Sequence, residues 1–159
     1  METEFILRWA HIIGACVLLG TGAGIAFFMV MAHRTRNPAL IAHTARTVVI
    51  ADYIFTASAV IVQPITGLWL AHLLGWSLTE GWLLVSIGLY ILIGMFWLPV
   101  VWIQSRLFKL AQQAAAEGTE LPDAYFKLYR IWFAFGFPAF FAVLAIVWLM
   151  VARPQFTLF

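Results

Sequence analysis

Four apolar stretches, at about 5–32, 44–74, 79–112 and 123–151, account for nearly the whole chain. Each is longer than the roughly 20 residues a helix needs to cross a bilayer. In hydrocarbon, backbone N–H and C=O groups must find partners within the segment, so each stretch is expected to be a helix. Only 10% of the 159 residues are charged, against about 25% in a soluble domain. The mean hydropathy is +0.97. The reading is an all-α, four-span transmembrane helical bundle, one integral membrane domain in contact with lipid. A net charge of +2 is too small to imply nucleic acid, and no nucleic-acid partner is expected. One cysteine, Cys16, and no CxxCH exclude a disulfide framework and a c-type haem attachment. The opening METEF has no basic n-region, so the first span is expected to be retained.

The ends of the spans carry further signals. The third span is expected to continue as a polar helix through QSRLFKLAQQAAAEG and stop at Gly118. Asp123 is expected to cap the fourth, and Pro154 follows its end. Pro64, Pro99 and Pro138 lie inside spans and are expected to kink them. Seven of the nine Lys and Arg residues fall at one end: Arg34, Arg36, Arg46, Arg106, Lys109, Lys127 and Arg130. By the positive-inside rule that end faces the cytoplasm of a bacterial inner membrane, with both termini periplasmic. Trp9, Trp76, Trp82 and Trp148 are expected in the outer aromatic belt, and Tyr125, Tyr129 and Trp132 toward the inner one.

Four histidines then need explaining, because polar groups in a membrane are rare and mark function. His11, in LRWAHIIGAC, and His72, in GLWLAHLLGW, fall near the same outer end of neighbouring antiparallel spans. Two imidazoles there could hold one iron, and a haem b is a flat apolar disc suited to a helical bundle. Gly14, one turn from His11, and Gly67, before His72, would leave room for the ring. Arg8, one turn outward, would pair with a propionate. The alternative is that both histidines merely sit at the interface. His33 and His43, at the two ends of the first loop, read first as surface residues and second as a cytoplasmic site for another haem or metal.

Asp52 and Arg130 lie inside spans two and four from the cytoplasmic side and are expected to pair, since neither should stand alone in low dielectric. A functional Asp52 would serve a proton path or a quinone or porphyrin site. Gln63 and Gln104 are further polar points, expected to satisfy carbonyls freed by proline or to line a cavity. Gly20 and Gly24 form a small-xxx-small pair that favours close packing or a homodimer through helix one.

LRWAHIIGA, the glycines after it and MAHRTRNP resemble the first helix of small bacterial four-helix membrane proteins. These include a predicted integral membrane family of unknown function. More distantly they include the HemJ-type protoporphyrinogen oxidases and the CopD-type copper-resistance membrane domains. HemJ-type proteins have a histidine early in helix one and another about 21 to 22 residues on, here His11 and His33. The resemblance implies a b-type haem with His11 as a ligand. The functional expectation is electron transfer or quinol-linked redox chemistry at a haem b. A HemJ-like porphyrinogen oxidase and a haem-free metal transporter or assembly subunit are the alternatives.

Overall fold

The structure, a computed structural model, describes residues 2–156. The described residues contain α1 (Glu2–Arg34), α2 (Pro38–Ala51), a π turn (Asp52–Thr56), α3 (Ala57–Leu73), α4 (Gly81–Glu117) and α5 (Asp123–Ala152), and no strand. α2, the π turn and α3 run on as one helical span, Pro38–Leu73, so four helices are long and apolar enough to cross a membrane. The basic end of the bundle holds the end of α1, the start of α2, the end of α4 and the start of α5. The other end holds the start of α1, the end of α3, the start of α4 and the end of α5.

The second span begins six residues before the expected position 44. Asn37 Oδ1 accepts from the Ala39 and Leu40 amides at 2.9 and 3.3 Å, and Pro38 occupies the first helical turn. An Asn cap followed by Pro, whose missing N–H costs nothing there, starts the helix at once. The first loop therefore shrinks to 35–37, and Arg46 lies within α2. α4 does run to Glu117 and stops at Gly118, whose φ of 66° is the left-handed cap that glycine adopts without strain. At the start of α5 the cap position is Pro122, and no side chain bonds the free amides. Asp123 is instead the first helical residue, where its charge complements the helix dipole.

α4 packs mainly on α5 and α2, and α1 mainly on α3. The larger core lies toward the basic end. There Met29, Ile41, Leu107 and Tyr125 are fully buried, and Ala42, Ala45, Ala111 and Ala114 let the helices come close. A smaller cluster of Ala71, Trp82, Leu83 and Leu149 closes the other end. Trp82, Tyr125, Tyr129 and Trp132 are thus buried in the bundle instead of facing the headgroups, whereas Trp9 and Trp148 are exposed. Trp82 reaches its buried place because its indole N–H donates to Glu80 at 2.8 Å. Phe27, Phe28, Leu98 and Trp102 are among many large apolar side chains left on the outside, as a lipid-facing surface requires.

The prolines stay within continuous helix. The departure from α geometry comes at the π turn, which contains none. A π turn carries one extra residue, so it rotates the downstream helix by roughly 100° relative to an unbroken α-helix. The buried residues of α2 meet α4, while α3 beyond the turn lies against α1. In sequence the buried stripe 41, 45, 48, 52, 56, 59, 63, 66, 70 looks like one uninterrupted helical face.

Candidate functional site

Two polar places interrupt the apolar interior. The first is where α1 crosses α3. Gly14 and Gly67 carry no Cβ, and each opens a space that the other helix fills. A Cβ on Gly14 would lie 2.7 Å from Gln63 Nε2, and one on Gly67 would lie 3.0 Å from His11 Cε1. The approach lets Gln63 Nε2 donate to the His11 backbone carbonyl at 2.8 Å. It also brings His11 Nδ1 to 2.9 Å from Thr66 Oγ1. Gly14 thus makes room for Gln63, and Gln63 serves the α1 backbone, with no part in a proline-freed carbonyl.

The Thr66 hydroxyl is 2.8 Å from the Val62 carbonyl and 3.2 Å from that of Gln63. Its one proton goes to these carbonyls, so toward His11 it acts as acceptor. That assigns the proton of the neutral imidazole to Nδ1 and leaves Nε2 with a free lone pair. Metal-bound histidines are oriented in this way, by an outer acceptor that fixes the tautomer.

His72 is not brought to His11. The face of α3 that meets α1 presents Gln63, Thr66 and Gly67, whereas His72 is exposed. It lies five to six residues further along, roughly 8 Å in rise and roughly 120–140° around the helix. Arg8 is exposed and forms an ion pair with Glu4 one turn before it. Among the described residues, no three His, Cys, Asp or Glu side chains gather as a metal cluster.

His33 and His43 are also apart in character. The His33 ring stacks on Tyr129 with centroids 3.6 Å apart, and its Nδ1 lies 3.3 Å from the Tyr125 hydroxyl. It closes the basic-end core. His43 is exposed and lines an open groove of about 480 Å³ between α1 and α2, with Gly20, Gly24, Thr47, Ala51 and Phe55. Gly20 has no neighbour within 4 Å of a built Cβ, and Gly24 would touch only Phe28 of its own helix. Among the described residues, the glycine pair therefore packs closely against no other helix.

The second polar place is the π turn. Asp52 is 4% exposed and is the fifteenth residue of the 36 in its span. Its Oδ1 accepts from Trp97 Nε1 at 3.3 Å. Arg130, the expected partner, is exposed, and the ion pair among the described residues is Arg8–Glu4. Gln104 stands in its place. An indole N–H can only donate, so the amide oxygen of Gln104 faces Trp132 Nε1, at 3.2 Å, and its nitrogen donates to Asp52 Oδ2, at 3.1 Å. Sequence reasoning does not group Trp97, Gln104 and Trp132, although Trp97 and Gln104 are seven residues, two helical turns, apart and so share a face of α4.

The chain matches, over residues 5–154, the family described as "Predicted integral membrane protein (DUF2269)". No curated protein and no solved structure matches it.

Proposed function

The chain belongs to the DUF2269 family of predicted integral membrane proteins, and on that premise we propose that it binds a b-type haem in a bacterial inner membrane, with both termini periplasmic, and works in electron transfer or quinol-linked redox chemistry. The observation that carries the reading is the His11–Thr66 bond. It holds one imidazole part-buried in a transmembrane bundle with Nε2 available and Nδ1 tied to α3. The donor set fits one histidine ligand. The placement of His72 gives no support to a second ligand from α3.

When bound, the haem supplies reversible one-electron exchange. The residues of the chain hold and orient. Thr66 fixes the His11 ring, Gln63 anchors the α1 backbone at the same level, and Gly67 admits the ring against α3. Arg8, already balanced by Glu4, is the cation nearest His11 in sequence and would have to exchange partners to meet a propionate.

The test is the absorption spectrum of protein purified from haem-replete cells. A Soret band is expected in the wild type and in His72→Ala, and its loss in His11→Ala, with helicity by circular dichroism unchanged in both. A colourless wild type, or a His11→Ala variant that keeps the full band, overturns the reading. Adding porphyrinogen to the oxidised protein separates the oxidase alternative, which requires that it reduce the haem.

A further inference from the structure

We propose that Asp52 is a reversible proton-binding site inside the membrane, built so that the carboxylate and the carboxylic acid are both fully hydrogen-bonded without movement of the helices. The proposal does not rest on haem binding.

Position comes first. Asp52 is roughly 5 Å along the axis from the midpoint of its span, well inside a hydrocarbon layer about 30 Å thick. It is the one carboxyl so placed, since Glu2, Glu4, Glu80, Glu117, Glu120 and Asp123 all lie in the end turns of helices or in loops. A carboxylate at such depth is disfavoured on insertion scales.

No charge offsets it. On α4, the stretch between Tyr90 and Arg106 has no titratable residue. On α5 there is none between Arg130, which is exposed, and Arg153. On α1 there is only Cys16 between His11 and His33, on α3 there is none before His72, and on α2 His43 and Arg46 are exposed. Tyr53, next to Asp52 on the π turn, is 62% exposed. Tyr129 packs against Trp132, with 5.7 Å between centroids. The groups in contact with Asp52 are neutral.

Those neutral groups are aimed with one polarity. Trp132 donates to Gln104, which donates to Oδ2, and Trp97 donates to Oδ1. An anion here is held by donors alone. The acid form carries a proton that none of these donors can receive. Thr56 supplies the missing acceptor. It lies four residues on, at the end of the same π turn, and its hydroxyl is buried without a hydrogen-bond partner. A hydroxyl works in both directions. Swung toward the carboxyl about its Cα–Cβ bond, it can donate to the carboxylate or accept from the acid. Elsewhere in the spans, Ser58, Thr66, Ser86 and Ser105 spend their hydroxyl protons on backbone carbonyls of their own helix. Thr56 is kept free of that bond.

The step is a simple one. One proton from hydronium forms an O–H bond on the carboxylate, leaving water, and the reverse returns it. A purely structural hub would hold Asp52 in one state throughout.

Infrared difference spectroscopy of the protein in lipid tests this, with the pH stepped over the range in which it stays folded. The expected result is one carboxylic-acid carbonyl band that interconverts with carboxylate bands, shifts in D2O, and is missing from Asp52→Asn. Difference spectra that are the same for wild type and Asp52→Asn overturn the proposal. Trp97→Phe keeps the carboxyl and removes one donor, and serves if Asp52→Asn does not fold. It should move the frequency of that band, and an unmoved band refutes the assignment. Neither measurement needs a haem, so a colourless protein that shows the band would reject the haem reading alone.

Discussion

Replacing Gly14 by alanine should uncouple α1 from α3 in a way that depends on a single partner. The new methyl carbon would sit 2.7 Å from Gln63 Nε2, closer than real contacts allow. The amide is the end of a flexible side chain, so it yields and the backbones stay in place. Moving it breaks the 2.8 Å bond to the His11 carbonyl. Hydrogen bonds between membrane helices average about 0.6 kcal/mol and reach about 1.7. Leaving the buried amide unpaired adds about 1–3 kcal/mol. Alanine returns about 1 kcal/mol in helix propensity. The net is a loss of about 0.6–3.7 kcal/mol, or roughly 3- to 500-fold in the unfolding equilibrium. In a Gln63→Ala background the obstruction and the bond are both gone, so Gly14→Ala should be neutral or stabilise by up to about 1 kcal/mol. The cycle is read by unfolding in bicelles under steric trapping or denaturing detergent. An equal cost for Gly14→Ala in both backgrounds refutes the argument, because the penalty would then come from something other than Gln63.

Two further predictions use the same geometry. Thr66→Val removes the acceptor that orients His11 while keeping the shape of the side chain, so on the haem reading it should weaken haem retention about 10- to 100-fold, measured by transfer of the haem to apomyoglobin, with the Soret band still present at saturation. Asn37→Ala removes the side-chain oxygen that accepts from two α2 amides and should cost about 1 kcal/mol, seen in the same unfolding assay and as faster amide exchange at Ala39 and Leu40.

Much of the bundle is legible without coordinates. Four spans follow from apolar length and from the need to satisfy the backbone in lipid, and the stop at Gly118 follows from its φ > 0 preference. The start of α2 is legible too, in Asn37–Pro38. Taking the basic stretch from Arg34 to Arg46 as loop misses that helix ends can project beyond the hydrocarbon. Gly14 and Gly67 can be recognised as points of close approach, but the object each admits cannot. A Gly in a membrane helix says that something comes near, and only the crossing of α1 over α3 shows that it is Gln63 in one case and the His11 ring in the other.

The amino-acid order alone determined that this chain crosses a membrane four times, where its basic end lies, and that His11 and Asp52 are polar exceptions needing partners. Those properties depend on composition and on spacing along one helix. Only the tertiary structure decided the partners. The π turn leaves the 3.6-residue stripe of the second span unbroken in sequence and yet turns its two halves toward different helices. Asp52 therefore meets Trp97 and Gln104 of α4 instead of Arg130. About three helical turns past the π turn, α3 gives Thr66 to His11, and further on leaves His72 on the outside. Side-chain neighbours across helices are set by rotation and crossing, and neither is written in the periodicity of any single segment.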